Sequence, residues 1–265
     1  MITEPIRVLQ VFAQMNRGGA ESMLMNLYRN IDRSKLQFDF VVHTNETCLF
    51  DDEILALGGR ILRVPRYTGV NHLTYKKAWN DFFGKYPEYR IIHGHVRSTA
   101  SIYFTIAKKY GLTRIAHSHS TSSGSGIAAL AKNLLQFPLR YYSDYLFACS
   151  QASGKWLYGA AACQKDNFFI LNNAIDISRF IYNSEKAVEM KKKLNVENNF
   201  VIGHVGRFHT PKNHSYLIDV FKEIKKREST SVLFLVGDGE LRDEIEYKIA
   251  SLGLNDSVRL LGVRS

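Results

Sequence analysis

Short runs of β-branched and aromatic residues alternate along the chain with longer stretches whose apolar positions recur every three or four residues. That alternation predicts strands and amphipathic helices taking turns in a parallel sheet. Strands are expected at Arg7–Phe12, Phe38–His43, Arg60–Val64, Ile91–His95, Arg114–His117, Tyr145–Cys149 and Phe168–Leu171. Few charges interrupt these runs, as in a sheet covered on both faces. Helices are expected at Glu21–Asn30, Thr74–Lys85, Ser98–Tyr110 and Ala128–Arg140. In the first of these, Met23, Leu24, Leu27 and Ile31 fall on one face.

A second series follows Asn173: a helix at Lys186–Leu194, a strand at Phe200–Val205, a helix at His214–Lys226, a strand at Val232–Val236, a helix at Leu241–Leu252 and a strand at Val258–Leu261. The pattern therefore predicts two Rossmann-like, doubly wound α/β domains, 1–174 and 175–265, joined near the linker-like segment Ile175–Glu185. A doubly wound domain usually has about five or six strands. With three, the second domain is expected to be incomplete, and the chain as it stands inactive or weak.

Composition narrows the partners. The net charge is +10, which suits phosphorylated small molecules, nucleic acid or an anionic membrane face. The cations are scattered, with no block of five and no RNA-recognition or zinc-finger spacing, so nucleic acid is not the expected partner. Three distant cysteines, Cys48, Cys149 and Cys163, suit a reducing cytoplasm and no disulfide framework. No CxxC or HExxH pattern points to zinc, and no Asp-x-Asp triplet occurs, so no metal and no resident cofactor are expected.

The candidate chemistry sits where strands end, beyond whose carboxyl ends open α/β sheets bind ligands. After the first strand, Gly18-Gly19-Ala20-Glu21 opens a helix, either as a tight turn with Glu21 on the helix dipole or as a loop approaching a ligand. His93-Gly94-His95 and His117-Ser118-His119 end two further strands, and such histidines are either backbone-bonded structural groups or lines of a site. In the second series, Gly206-Arg207 ends a strand and Lys212-Asn213 opens a helix, which is a cationic pocket for a diphosphate or a pair of solvated cations. Gly237-Asp238-Gly239 follows the next strand and reads most simply as a turn.

Taken together and in order, these residues resemble the retaining nucleotide-sugar glycosyltransferases of family 4, also called group 1, which have the two-domain GT-B fold. The shared features are Gly18–Glu21, His119, the crossover Asn172-Asn173-Ala174-Ile175-Asp176 with Phe180, Gly206-Arg207 with Lys212-Asn213, Gly237-Asp238-Gly239, and Asp256–Gly262. Ala174 stands where the family usually has glycine. The resemblance implies transfer of a sugar from a nucleoside diphosphate donor, without metal, to a polysaccharide or lipid-linked saccharide. Arg207 and Lys212 would hold the diphosphate and help it depart. Gly18 and Gly19 would let their loop approach donor and acceptor. His119, or His117 in the other register, would contact the donor sugar, with Glu21, His95, Gly206, Gly237 and Asp238 in the binding set. The family's Glu-x7-Glu motif would lie beyond the last residue. Two other readings share the fold: a sugar-nucleotide epimerase, which needs carboxylates in its cleft, and a non-catalytic binding module.

The apolar stretch Ile127–Tyr142 carries Lys132 and Arg140. It reads first as a helix packed on its own sheet, with an anionic membrane surface as the alternative, at the inner face of the plasma membrane.

Overall fold

The computed structural model describes residues 4–264, which form two compact units dividing between Ile177 and Ser178. The first unit alternates strands and helices: β1 (Ile6–Phe12), α1 (Gly19–Asn30), β2 (Leu36–Val42), α2 (Asp51–Ala56), β3 (Ile61–Arg63), α3 (His72–Lys85), β4 (Ile91–Gly94), α4 (Arg97–Lys109), β5 (Thr113–Ser118), α5 (Gly126–Gln136), α6 (Leu139–Tyr142), β6 (Tyr145–Ala148), α7 (Gln151–Tyr158) and β7 (Phe168–Ile170). All its strands are parallel, in the order β3-β2-β1-β4-β5-β6-β7. The order reverses between β1 and β4, so their carboxyl ends open into a crevice.

Two cores cover this sheet. One gathers Leu9, Trp79, Tyr103 and Phe104; the other gathers Tyr28, Phe40 and Ile54. At the amino ends of the strands, the buried Asp39 carboxylate accepts bonds from Arg7, Arg60 and Tyr89. Burial pushes Asp39 up, but these donors outweigh it and hold the group below the usual carboxylate range. That cluster is remote from the ligand-binding edge of the sheet and ties the fold.

The second unit holds α8 (Ser184–Lys193), β8 (Val201–Val205), α9 (His214–Arg227), β9 (Val232–Val236), α10 (Arg242–Ser251) and β10 (Val258–Gly262). Its parallel sheet runs β10-β9-β8, with Phe208, Phe221, Leu233 and Leu235 among its core residues.

Two helical expectations are corrected. The stretch expected to run unbroken over Ala128–Arg140 divides into α5 and α6, with Pro138 as the N-cap of the second. Nor does α5 pack on its own sheet with its apolar face: it leans on α4, where Ser101 Oγ donates to the Leu135 carbonyl at 2.6 Å, and it buries only Ala129 and Gln136. Ile127, Leu130 and Leu134 are exposed.

Candidate functional site

Four histidines at the ends of β4 and β5 form a ladder of imidazoles. Adjacent parallel strands set His93 opposite Ile115, and the imidazole of His93 meets that of His117 two residues further along, as that of His95 meets His119. His93 Nε2 lies 3.2 Å from His117 Nδ1, and His95 Nδ1 lies 2.7 Å from His119 Nε2. His95 also stacks on Phe12 of β1, with ring centroids 4.2 Å apart, and its Nε2 lies 2.9 Å from Gln10 Oε1.

That last contact sets the protons. A carboxamide oxygen can only accept, so His95 Nε2 carries hydrogen and His95 Nδ1 is an acceptor. His119 Nε2–H then donates to it, leaving a lone pair on His119 Nδ1, which has no partner among the protein groups. Burial first, and neighbouring positive charge second, disfavour protonation: His93 is pushed down to about 3 and His119 to about 4. His95 and His117 are lowered further by the same causes. The ladder is therefore neutral near pH 7.

Nitrogens of His93, His95 and His117 lie within 4.8 Å of one another, a spacing that could hold a metal ion. They already bond within the ladder, and no carboxylate belongs to the group. A cation there would break two hydrogen bonds without an anion to offset its burial.

Beside the ladder lies a pocket of about 270 Å³ whose lining includes Phe12, Glu21, His95, Arg97, His119, Lys132 and Gln136. Two helix N-termini reach its wall, that of α1 at Ala20 and Glu21 and that of α4 at Arg97 and Ser98. Together with Arg97 and Lys132 they favour a ligand with negative or strongly electron-rich oxygens. Glu21 is the single acid of the lining, and burial raises its carboxyl above the usual range.

The structure separates the sequence candidates. His119 and His95 line the pocket; His117 does not. His117 is completely buried. Gly18 is the N-cap of α1, and a Cβ there would stand 2.1 Å from the Glu21 carboxylate. At Gly19 a Cβ meets nothing within 4 Å, so no steric demand fixes a glycine there.

In the second unit, the loops after β8 and β9 are stitched together. Gly206 N–H donates to Val236 O at 2.9 Å, and Phe208 N–H to Asp238 O at 2.9 Å. Gly237, at φ +139°, approaches so closely that a Cβ would come within 2.1 Å of Gly206 O. At Gly239 the same atom would come within 2.4 Å of Phe208 O. The Gly-Asp-Gly turn thus shapes the loop that carries Arg207. Asp238 spends its carboxylate inside that turn, on Gly239 N–H at 2.8 Å and Arg242 at 3.2 Å.

Arg207 is exposed and donates to Glu240 at 3.1 Å, and His209 bonds the other oxygen of the same carboxylate. Lys212 ends the 3₁₀ turn Thr210–Lys212, and its stem passes 3.6 Å from where a Cβ of Gly206 would be. Asn213, left-handed at φ +48°, caps α9.

Gln10, Lys132 and Gln136 were not among the sequence candidates for the pocket beside the ladder. Gln10 had a signal, since it is a polar residue inside the otherwise apolar run Val8–Phe12.

A relative from Bacillus subtilis named as the glycosyltransferase EpsF is 36% identical over 261 residues, which is 97% of this chain and 68% of the relative. Residues 185–265 match the model of the family described as glycosyl transferases group 1. The chain belongs to the group 1 glycosyltransferases. The capsular polysaccharide biosynthesis glycosyltransferase CapH of Staphylococcus aureus is 22% identical over 97% of this chain and 70% of its own length. The fold is that of the GT-B enzymes: the crystal structure of Anabaena Alr3699/HepE in complex with UDP-glucose superposes with a TM-score of 0.76 at 20% identity, covering 98% of this chain and 70% of that one.

Proposed function

We propose that this glycosyltransferase moves a sugar from a nucleoside diphosphate sugar, with a uridine diphosphate sugar as the first candidate, to a saccharide acceptor of a surface polysaccharide, free or lipid-linked, with retained anomeric configuration. The bond from the anomeric carbon to the diphosphate oxygen breaks, an acceptor hydroxyl oxygen takes its place, and nucleoside diphosphate and a proton leave. UDP-glucose in the HepE structure and the name of CapH support the donor and product classes.

The observation that carries the reading is the position of Arg207 directly after Gly206 at the end of β8, with the Lys212 stem 3.6 Å from where a Cβ of Gly206 would be. A diphosphate gains negative charge as it departs. A guanidinium fork, an ammonium and the N-terminus of α9 are suited to that charge without a divalent ion. In the first unit, His119 lines the pocket and would contact the donor sugar, and the neutral ladder adds no positive charge beside it. Glu21, with its raised affinity for a proton, is placed to take the acceptor's hydrogen bond.

The test is product analysis by proton NMR after incubation with α-linked uridine diphosphate sugars and a saccharide acceptor, with and without excess EDTA. An α-linked product at an unchanged rate in EDTA is expected. A β-linked product would overturn retention, and loss of the reaction in EDTA would overturn metal independence.

A further inference from the structure

His214, the first residue of α9, is 1% exposed, yet neither of its ring nitrogens has a partner among the protein groups. Its imidazole packs against two other rings in T-shaped geometry, with centroids 4.8 Å from that of His204 and 4.7 Å from that of Phe208. Burial first, and then the neighbours His204 and Lys212, lower its affinity for a proton. It is therefore neutral near pH 7 and offers one N–H and one lone pair. Buried polar groups are seldom left without a partner, and each exception asks for a cause. His214 lines a cavity of about 290 Å³ in the second unit, between the turn ahead of α9 and the start of α10. Gly206, Arg207 and Lys212 are not part of that lining, so the cavity is distinct from the diphosphate site.

The other groups of the lining say what fits. Lys248 is its single cation, and the ammonium donates to Ser215 O at 2.9 Å, Ser215 Oγ at 2.8 Å and Asp219 Oδ2 at 2.6 Å. Its three protons are thereby committed. Glu244 is the single acid and is exposed. An anion would meet that carboxylate with no uncommitted side-chain cation to offset it. A metal ion would find one carboxylate and one imidazole, fewer ligands than a closed site needs. What remains is a wall of groups that donate or accept singly: the His214 ring, the Thr210 hydroxyl, the Asn213 carboxamide and Glu244, beside the aliphatic side chains of Leu241 and Ile245. The first turn of α9 adds backbone N–H groups, from which an oxygen can accept. A sugar hydroxyl both donates and accepts, and the C–H face of a sugar ring packs on aliphatic carbon.

We propose that the cavity between α9 and α10 is a binding site for a neutral saccharide, separate from the donor site, in which a sugar hydroxyl meets the buried imidazole of His214 and its neighbours meet Glu244 and Thr210. The binding needs neither donor nor turnover. Its use rests on the glycosyl-transfer reading: an enzyme that adds sugars to a polysaccharide keeps its product within reach through a second saccharide contact.

The experiment is heteronuclear NMR of the imidazole nitrogens of the full chain, titrated with maltotetraose, cellotetraose and tetra-N-acetylchitotetraose in saturating UDP, and separately with inorganic phosphate. The His214 signals are identified by their loss in His214→Phe, which keeps a ring against His204 and Phe208. The expected result is a saturable shift of the His214 nitrogens with at least one of the three sugars, unmoved by UDP. Affinity for that sugar, read from its own signals, should be weaker by about tenfold or more in His214→Phe and in Glu244→Ala. Glu244 is exposed, so Glu244→Ala should keep the parent's thermal midpoint, and it decides if His214→Phe does not fold. No shift of His214 with any of the three sugars would overturn the proposal. So would a shift produced by phosphate and not by sugar, or a sugar affinity that His119→Ala abolishes and Glu244→Ala leaves unchanged. UDP release from a uridine diphosphate sugar, followed separately, reports on the catalytic reading, and the sugar titration stands whichever way that falls.

Discussion

His95 Nδ1 lies 2.7 Å from His119 Nε2, and the direction of that hydrogen bond is dictated from β1 by Gln10, which bonds the other nitrogen of His95. Gln10 Oε1 accepts from His95, His95 accepts from His119, and His119 is left with its lone pair on Nδ1. The proton positions in the wall of the pocket are thus written from the middle of β1.

Gln10→Leu removes the acceptor that fixes this direction and leaves a buried imidazole N–H unsatisfied. A stability loss of about 1–3 kcal/mol is expected, with kcat falling more than KM changes because His119 no longer offers a single tautomer. Gln10→Glu keeps an acceptor at the same place and should restore most of kcat, while its negative charge raises the pKa of His95. Unfolding curves and pH–rate profiles of the two variants check this. Equal kcat for Gln10→Leu and the parent would remove Gln10 from the account.

Acid should destabilise the first unit through its histidines. In the folded chain they are neutral, with His93 at about 3 and His119 at about 4, whereas in the unfolded chain they titrate near 6.5. Between those values the unfolded state binds more protons, so stability rises with pH and is lost as pH falls below about 6.5. At pH 5.5 each neutral imidazole costs about 1.4 kcal/mol. The thermal midpoint should drop from pH 7.5 to 5.5, and the drop should be smaller in His117→Asn. A midpoint that rises on acidification would contradict the neutral ladder.

Much of this fold was legible in the sequence because apolar period and strand-end glycines agree. Every expected strand of the first sheet is present, from Ile6–Phe12 to Phe168–Ile170. The helix α7 was not among the expected helices. Gly154 is there for packing: a Cβ would press within 2.6 Å of the Phe168 ring. The orientation of α5 was misjudged. Periodicity tells which side of a helix is apolar, and not whether that side faces the protein: Ile127, Leu130 and Leu134 of α5 are exposed. At the site, strand ends were readable but register was not. Only the burial of the side chains shows that His117 is enclosed in the interior while His119 lines the pocket.

The two glycines at the start of α1 should respond differently. Gly18→Ala puts a methyl group against the Glu21 carboxylate and displaces it from the pocket wall, which should lower kcat/KM about tenfold or more. Gly19→Ala meets open space and adds helix propensity, so stability should hold or rise slightly. Steady-state kinetics with denaturant melts distinguish the pair; equal loss in both would mean that sterics at Gly18 are not the cause.

Glu240 holds Arg207, the residue proposed to bind the diphosphate. Its carboxylate holds Arg207 at 3.1 Å and also bonds His209. Glu240→Gln weakens both contacts, and because the pair is exposed the gain in UDP affinity should be modest, about two- to fivefold. Titration calorimetry with UDP measures it, and weaker binding by the variant would show that Glu240 assists the ligand.

The central claim is that Arg207 and Lys212 stabilise a departing diphosphate. Its most direct test is UDP release from the preferred uridine diphosphate sugar by the Arg207→Ala and Lys212→Ala variants, each shown to melt like the parent. The expected result is a loss in kcat of about 100-fold or more for each, with a smaller change in KM, as for groups that act chiefly in the transition state. Parental turnover in both variants would contradict the assignment of the donor site.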